Sequence, residues 1–298
     1  MKAPPASAPV ATDRVGLGIG SYLAAIFLFA IVDTTAKWLG RTYEPVQIVF
    51  LRQLFELIPV SVFVWRSGGL AALQTRRPFA HVLRGSLMFA SMLLFTMALR
   101  SMPLAEVVAI GFTGPLFITA LSGPLLGEAV GVRRWAAVVV GFVGALIMVR
   151  PGTEAFRSEA LLALSAAFTF ALAMLLTRRL ARTETSVALV TSTAVIIGLV
   201  SLPFAILAWQ APSIGDLGLF ALVGIAGGSA AFLQVIAYRN APAAVVAPFY
   251  YSSLIWATAF GWMLWRESPE PAVWIGAAIV AGAGVYITRR EIVLERRA

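Results

Sequence analysis

Long apolar runs, separated by short polar or Pro- and Gly-containing connections, occupy almost the whole chain. Each run is close to the length of about 20 residues that an α-helix needs to cross a lipid bilayer. We therefore predict an all-α integral membrane protein with ten transmembrane helices. Their predicted bounds are 17–39, 45–65, 82–100, 104–126, 132–149, 159–179, 187–209, 215–238, 243–265 and 272–288.

The two ends of the chain lack this apolar character. Residues 1–16 are rich in Pro and Ala and are expected to form a disordered cytoplasmic tail. Residues 291–298 are expected to form a cytoplasmic tail at the other end. The apolar run after the first tail is too long for a signal-peptide core, and no A-x-A-like cleavage site follows it directly. This run is therefore predicted to be an uncleaved first transmembrane helix.

The two halves of the chain repeat each other. Residues 94–150 align without a gap on residues 233–289 at an offset of 139, and the start of each half aligns at an offset of 141. The pairs at offset 139 include Ala98 with Ala237, Arg100 with Arg239, Pro103 with Pro242, Thr119 with Thr258, Glu128 with Glu267 and Trp135 with Trp274. We predict two five-helix repeats, at 17–150 and 158–290.

An odd number of helices in each repeat fixes how the two copies lie in the membrane. After five crossings the second copy enters from the opposite side, so the two repeats are inverted relative to each other. Inverted repeats are an arrangement that secondary transporters use for alternating access.

Composition supports a membrane protein with almost no soluble part. The chain is 60% hydrophobic and 12% charged, against about 25% charged residues in soluble domains. The net charge of +9 does not indicate a nucleic-acid partner, because membrane proteins concentrate basic residues in cytoplasmic loops. The absence of cysteine excludes disulfides and thiolate metal sites, and the single histidine, His81, is expected to be solvated.

The distribution of basic residues predicts the orientation. With the N-terminus inside, the cytoplasmic tails and loops contain sixteen Lys and Arg, the opposite side contains six, and Arg52 lies within a helix. This asymmetry predicts that both termini are cytoplasmic, in a multi-pass protein of the bacterial inner membrane.

A local motif adds a family resemblance. Leu125-Leu126-Gly127-Glu128 is followed by Trp135 and then by Gly141-x-x-Gly144, on a ten-helix chain of about 300 residues. This combination resembles the drug/metabolite transporter superfamily, and most of all its EamA-type exporters. The second copy keeps Glu267 and Trp274 but has Arg266 where the first has Gly127. In addition, 106–115 is similar to the fourth helix of an aromatic amino-acid exporter of the superfamily.

The resemblance implies a function as well as a fold. Helices 1, 3, 4, 6, 8 and 9 would enclose a central cavity that the two halves expose alternately. We expect a secondary transporter that exports small metabolites, most of all amino acids. The alternative is a transporter of drugs or other metabolites, such as nucleotide sugars, and a non-transporting membrane scaffold is a more remote one. An enzyme, a cofactor and a metal site are not expected, and the partners are the small-molecule substrate and the lipid bilayer, with the chain as a monomer.

Candidate cavity residues lie on the helices that the resemblance places around the cavity. They are Met92, Phe95, Phe112, Pro115, Phe168, Phe170, Met174, Gln234, Tyr238, Tyr250, Tyr251 and Trp256. Most aromatic residues in a membrane protein only pack against other helices or anchor them at the interface. The hypothesis that these residues line a cavity therefore competes with a purely structural role. Pro115 and Pro248 each remove a backbone hydrogen bond within a helix, so helices 4 and 9 are predicted to bend.

Charged residues inside the membrane are the second set of candidates. Asp33 and Lys37 are i, i+4 neighbours on helix 1, and Arg52 and Glu56 are i, i+4 neighbours on helix 2. Asp33 and Arg52 could pair across this hairpin. These four could be structural ties, or they could form a gate, a proton relay or a contact for the charged ends of the substrate.

Two hypotheses apply to the repeated glutamates, Glu128 and Glu267. Each lies at a helix end before the start of the next helix, where a carboxylate can accept backbone N–H groups. A structural role is the favoured interpretation, and direct participation in transport is the alternative.

Overall fold

The computed structural model describes residues 12–69, 73–75, 77–128, 130–153, 156–181 and 183–295. The regular secondary structure of these residues is helical. The helices are α1 (Thr12–Leu39), α2 (Pro45–Arg66), α3 (Pro78–Ser101), α4 (Leu104–Gly111), α5 (Gly114–Leu126), α6 (Val132–Val149), α7 (Ala160–Leu180), α8 (Ser186–Leu207), α9 (Ile214–Asn240), α10 (Ala243–Val246), α11 (Ser253–Trp265) and α12 (Pro271–Glu295), with a 3₁₀ helix at Ala247–Ser252.

Eight of the ten predicted spans are single helices, and two are interrupted. The fourth span consists of α4 and α5, and the ninth of α10, the 3₁₀ helix and α11. Pro115 is the second residue of α5 and Pro248 the second residue of the 3₁₀ helix. Each lies just after a break because proline has no N–H to continue the ladder of the preceding turn. Nine spans among the described residues are long and apolar enough to cross a membrane; the interrupted ninth predicted segment falls outside that count.

Both terminal helices differ from their predicted bounds. Helix α1 begins at Thr12 rather than 17, and α12 continues to Glu295 rather than ending at 288. Residues 12–16 and 291–295, predicted as tails, are therefore helical; residues 1–11 and 296–298 lie outside the described part. A helix can extend past an apolar run because its backbone hydrogen bonds do not depend on apolar side chains.

Packing between the halves follows the inverted repeat. Under the repeat, α1, α2 and α3 correspond to α7, α8 and α9, and α6 corresponds to α12. Helix α1 packs along α9 and α3 packs along α7, which are equivalent pairs, while α2 packs on α8 and α6 packs on α12. Every one of these contacts is reproduced when the two repeats are exchanged, as a pseudo-twofold axis in the membrane plane requires.

Glycines allow the closest helix contacts. A Cβ at Gly276 of α12 would lie 2.5 Å from the carbonyl oxygen of Gly144 on α6, and a Cβ at Gly224 of α9 would lie 2.5 Å from the carbonyl oxygen of Arg52 on α2. Small residues are what lets helix backbones approach this closely in a membrane. The Gly141-x-x-Gly144 and Gly276 stretches therefore pack against each other within one chain.

Candidate functional site

The interruptions in the fourth and ninth spans meet at the centre of the molecule. Phe112 ends α4, and its repeat equivalent at offset 139 is Tyr251. The two rings are in edge-to-face contact, with centroids 4.9 Å apart and an interplanar angle of 83°. Tyr250 completes the group, with its ring 5.3 Å from Phe112 and 5.8 Å from Tyr251. Three of the predicted cavity residues thus form one aromatic cluster on the pseudo-twofold axis.

Tyr251 has its position because Gly284 leaves room for it. A Cβ at Gly284 of α12 would lie 1.8 Å from the Tyr251 hydroxyl oxygen, which is closer than any real contact. The first repeat has Ala145 at the equivalent position. The second repeat therefore lacks the Ala methyl group at this position, and the Tyr251 hydroxyl fills the space.

Tyr22 extends this cluster towards the end of the molecule where α9 finishes. Its hydroxyl oxygen lies 3.4 Å from that of Tyr238, with ring centroids 5.6 Å apart, and it also interacts with Gln234 and Tyr250. Sequence reasoning selected Tyr238 and Gln234 but missed Tyr22. The available signal was its spacing of eleven residues from Asp33, about three helical turns, which places both on one face of α1.

A charged group lies beside the aromatic cluster on α1 and α2. The Arg52 Nε atom is 3.7 Å from a Glu56 carboxylate oxygen, and Asp33 interacts electrostatically with Arg52 and with Tyr250. Within the described residues, Asp33 has no ion pair within 4 Å, so the predicted pair with Arg52 across the hairpin is not formed, and Asp33 does not pair with its helix neighbour Lys37 either. The Arg52 Nε atom is buried and has no hydrogen-bond partner there.

A buried guanidinium nitrogen without a partner is costly unless a ligand or water satisfies it. Helix α9 packs closely against it: a Cβ at Gly227 would lie 3.3 Å from Arg52 Nη2 and 3.6 Å from a Glu56 oxygen. The missing side chain at Gly227 therefore lets α9 lie directly against the Arg52 and Glu56 side chains. The charged group can hold a ligand that carries both signs of charge.

Other predicted cavity residues lie elsewhere. Met92 packs with Val49, Phe89 and Ile197 between α2, α3 and α8. Phe168 contacts Phe117, with ring centroids 5.3 Å apart, and 39% of its surface is exposed. These two residues are not brought to the aromatic cluster.

The remaining candidates lie around the cluster at intermediate burial. Phe95 approaches Gly111 and Phe170 approaches Gly114, at 3.9 and 3.6 Å from the position of a Cβ at each glycine. The Trp256 ring lies 4.7 Å from the Phe27 ring. Pro115 and Met174 are half-buried on α5 and α7.

Lys37 forms an ion pair with Glu267 rather than with its helix neighbour. Its Nζ atom donates to Glu267 Oε1 and to the Met102 carbonyl oxygen, at 2.6 Å each. Glu267 Oε2 accepts from the backbone N–H of Leu104 at 2.9 Å. The carboxylate thus accepts a backbone N–H, as predicted, but from α4 rather than from the helix that follows it. This group joins the two repeats, and we call it the Lys37 lock.

The repeat places an equivalent pair at the opposite end of the molecule. Arg178 corresponds to Lys37 at offset 141, and Glu128 corresponds to Glu267 at offset 139. The distance from Arg178 Nη1 to Glu128 Oε2 is 3.9 Å. Their side chains are 46% and 35% exposed, against 8% and 22% for Lys37 and Glu267. We call this looser, more exposed pair the Arg178 lock.

The helix ends beside the two glutamates are alike. Gly127 and Arg266 both have left-handed backbones, with φ of 71° and 58°. Their N–H groups donate to the carbonyls of Gly123 and Trp262 at 2.9 and 3.0 Å. The difference between the two locks therefore lies in the side-chain pairs and not in the turns that carry them.

Further polar links hold the Lys37 end together. Arg150 Nη1 donates to Glu270 Oε2 at 2.5 Å, which lowers the pKa of the Glu270 carboxyl below its ordinary value. Burial and a hydrogen bond to Asp216 raise the pKa of the Tyr43 hydroxyl. The Arg150–Glu270 link connects loops of the two repeats.

His81, predicted to be solvated, is buried near the Arg178 end. Its Nδ1 atom lies 2.6 Å from the Ser192 hydroxyl and its Nε2 atom 3.7 Å from a Glu184 oxygen. One turn later, Arg84 donates to the Leu189 carbonyl and to Thr193. The prediction was wrong because α3 begins at Pro78, so His81 belongs to a helix that packs on α8.

A cavity of about 240 Å³ opens beside the Lys37 lock. It is lined by Lys37, Arg41, Arg100, Ser101, Met102, Pro103, Arg157, Trp265 and Glu267.

Comparison with known proteins places this architecture in a family. The model of the EamA-like transporter family matches residues 16–150 and again residues 157–289. One solved structure matches with a TM-score of 0.63 at 20% identity, covering 94% of this chain and 98% of its own, which shows a shared fold.

Relatives of similar length have transporter names. An S-adenosylmethionine uptake transporter of Rickettsia prowazekii is 31% identical, over 92% of this chain and 93% of its own. A riboflavin transporter of Vibrio cholerae is 30% identical over 92% and 94%, and a pseudopaline exporter of Pseudomonas aeruginosa is 22% identical over 94% and 98%. These names do not support the predicted closeness to the aromatic amino-acid exporter, and they favour the alternative of another metabolite.

Proposed function

This chain belongs to the EamA-like transporter family of the drug/metabolite transporter superfamily, and on that premise we propose that it takes up S-adenosylmethionine or a close chemical relative. The family consists of transporters and not of enzymes. The observation that carries the choice of substrate is the charged group of Asp33, Arg52 and Glu56 beside the aromatic cluster. The name of the Rickettsia prowazekii relative supports the same choice.

The charges of this group complement such a substrate. With both carboxylates ionised, Asp33, Arg52 and Glu56 together carry one negative charge, and S-adenosylmethionine carries one net positive charge at neutral pH. Arg52 can donate to the substrate carboxylate, and the acids can hold its ammonium and sulfonium groups. The faces of Tyr250 and Tyr251 suit stacking with the adenine ring and attraction of a cation.

Riboflavin is the second candidate, because the aromatic cluster also suits a flat three-ring heterocycle. Riboflavin is uncharged at neutral pH, so it would offer Arg52 no carboxylate of its own. Export of aromatic amino acids is less well supported, since a single small ring would fill only part of the cluster.

Transport would proceed by alternating access between the two locks. In the present conformation the Lys37 lock is formed and buried while the Arg178 lock is longer and exposed. We assign the Lys37 end to the periplasmic side of a bacterial inner membrane, because it holds six of the basic residues against sixteen at the other end. The conformation is then closed towards the periplasm. Exchange of the repeats would open the Lys37 lock and tighten the Arg178 lock.

Uptake into proteoliposomes tests the substrate. Purified protein should take up labelled S-adenosylmethionine faster than riboflavin, and phenylalanine least of all. Arg52→Gln should lower that uptake at least tenfold by removing a charged hydrogen-bond donor, while Arg133→Gln, an exposed charge elsewhere, should leave it unchanged. Faster riboflavin uptake that is insensitive to Arg52→Gln would favour the second candidate, and transport of none of the three would refute the proposal.

A further inference from the structure

Basic residues are concentrated in the cavity beside the Lys37 lock to a degree that membrane orientation does not explain. The Lys37 end has six Lys and Arg residues, and four of them line this one cavity of about 240 Å³. They are Lys37, Arg41, Arg100 and Arg157. Basic residues are depleted on the periplasmic side of the membrane, so four of them around one cavity indicate that the cavity has a function.

Among the described residues, ion pairs within 4 Å neutralise two of these four charges. Glu267 binds Lys37, and Glu44 binds Arg100 at 3.0 Å. Within the described residues, Arg41 and Arg157 form no ion pair within 4 Å. Arg157 interacts electrostatically with Glu106 and Glu270, but without an ion pair within 4 Å. The cavity therefore has two guanidinium groups available to a negatively charged ligand.

The aromatic side of the cavity orients one of these groups. The Arg41 guanidinium lies 5.0 Å from the centre of the Trp38 ring and 5.7 Å from that of Trp265. Stacking on tryptophan holds a guanidinium plane in position without consuming its hydrogen-bond donors. Arg41 is thus positioned to bind a group with two oxygens.

A carboxylate is the anion that the cavity already accommodates. Glu267 places its own carboxylate at the base of the cavity, where Lys37 and the Leu104 N–H hold its two oxygens. A second carboxylate entering the cavity would meet Arg41 and Arg157 first and would then compete with Glu267 for Lys37.

We propose that this cavity is an outer recognition site for the carboxylate of the incoming substrate, and that binding there weakens the Lys37 lock. The proposal rests on the proposed uptake of a substrate with an amino-acid end. It adds a first binding step, before the substrate reaches Arg52 and the aromatic cluster, and it assigns that step to Arg41 and Arg157.

Transport kinetics with and without the substrate carboxylate test this site. The double variant Arg41→Gln, Arg157→Gln should raise the KM for S-adenosylmethionine about tenfold or more and leave kcat nearly unchanged. The KM for decarboxylated S-adenosylmethionine should be the same in the variant and the parent chain. Arg266→Gln is the matched control, because it removes an arginine at the same end that does not line the cavity. An equal rise of KM for both compounds, or a rise with Arg266→Gln, would refute the proposal.

A binding experiment separates failure of the cavity from failure of the substrate assignment. Trp265 lines the cavity, so the protein in nanodiscs can be titrated with sodium acetate and with inorganic phosphate while tryptophan fluorescence is recorded, with Trp265→Phe as the reference. A saturable change with acetate that Arg41→Gln, Arg157→Gln abolishes would support a carboxylate site even if S-adenosylmethionine is not transported. A response to phosphate alone would identify a phosphate site instead, and no saturable response would exclude the anion site.

Discussion

The two ends of the molecule are made from the same repeat and yet differ in how firmly they are held. At the Lys37 end, a 2.6 Å ion pair, largely buried, joins α1 to the loop after α11 and to the start of α4. At the Arg178 end, the equivalent pair is 3.9 Å long and exposed. The helix caps beside both glutamates are alike. One sequence element thus forms a tight, largely buried pair at one end and a longer, more exposed pair at the other, which is the asymmetry that the proposed alternating access requires of a single conformation.

Breaking the Lys37 lock has the largest expected effect. Glu267→Gln leaves Lys37 without its carboxylate, and the loss of a partly buried ion pair amounts to about 2 kcal/mol, or roughly thirtyfold in the population of open molecules. Ala105 is buried just behind the lock, and the chain has no cysteine of its own. We expect the maleimide labelling rate of Ala105→Cys to rise by about that factor in the Glu267→Gln background.

Glu128→Gln is the control for this prediction. Exposed ion pairs contribute less than about 1 kcal/mol, so breaking the Arg178 pair should change the labelling rate of Ala105→Cys by less than about fivefold. Equal effects of the two glutamine variants would contradict the difference between the locks.

Filling the space beside Tyr251 tests the difference between the repeats at the centre of the molecule, where Gly284 stands in place of the equivalent Ala145. Gly284→Ala places a Cβ where the Tyr251 hydroxyl lies, so the ring must leave its contact with Phe112. We expect substrate affinity, measured by calorimetry, to fall about tenfold, the scale of one aromatic contact. Gly282→Ala meets no neighbouring atom within 4 Å and should leave affinity unchanged. An unaltered affinity in Gly284→Ala would remove Tyr251 from the site.

The C-cap residues of α5 and α11, Gly127 and Arg266, can each be replaced by the residue of the other repeat. Gly127→Arg puts a side chain on a left-handed residue and should destabilise the protein by about 1 kcal/mol. Arg266→Gly should stabilise it by less, because it also loses a cation–π contact with Trp262 that contributes about 0.5 kcal/mol. Thermal unfolding in detergent should shift in opposite directions for the two variants, and shifts of the same sign would show that the caps are not equivalent.

The smallest expected effect is the pH response of the Lys37 end. Arg150 lowers the pKa of Glu270, so this link stabilises the closed end above the pKa of an unperturbed Glu, about 4.3, and is lost as the pH falls through the lower folded value. Labelling of Ala105→Cys with an acid-tolerant reagent should rise less than threefold below about pH 4. Glu270→Gln should abolish that pH-dependent step, and an unchanged step would assign it to another group.

Much of the fold follows from the sequence, because the repeat and the helix lengths are local patterns. The register that aligned Glu128 with Glu267 also defines the five-plus-five architecture, and Pro115 and Pro248 indicated the two interrupted spans. Contacts between distant residues were harder to foresee. The sequence pattern placed Lys37 beside Asp33, four residues away on the same helix, whereas its ion-pair partner is 230 residues away.

The candidate site was only partly predictable for the same reason. Phe112, Tyr250 and Tyr251 were selected from the helices they occupy, and these helices meet. Met92 and Phe168 are on the right helices but on faces that point away from the cluster, and the sequence does not specify the rotation of each helix. Tyr22 was overlooked because one tyrosine in an apolar helix is not distinctive until its alignment with Asp33 is considered.

The most direct test of the account is a pair of distance measurements by spin labelling, one across each end, which the cysteine-free chain makes practical. Labels at Thr42 and Ser268 report on the Lys37 end, and labels at Thr183 and Val132 report on the Arg178 end. When Glu267→Gln is introduced, or when saturating substrate is added, the first distance should lengthen and the second should shorten in the same molecules. Two distances that change in the same direction, or one that changes alone, would contradict the proposal that the two locks alternate.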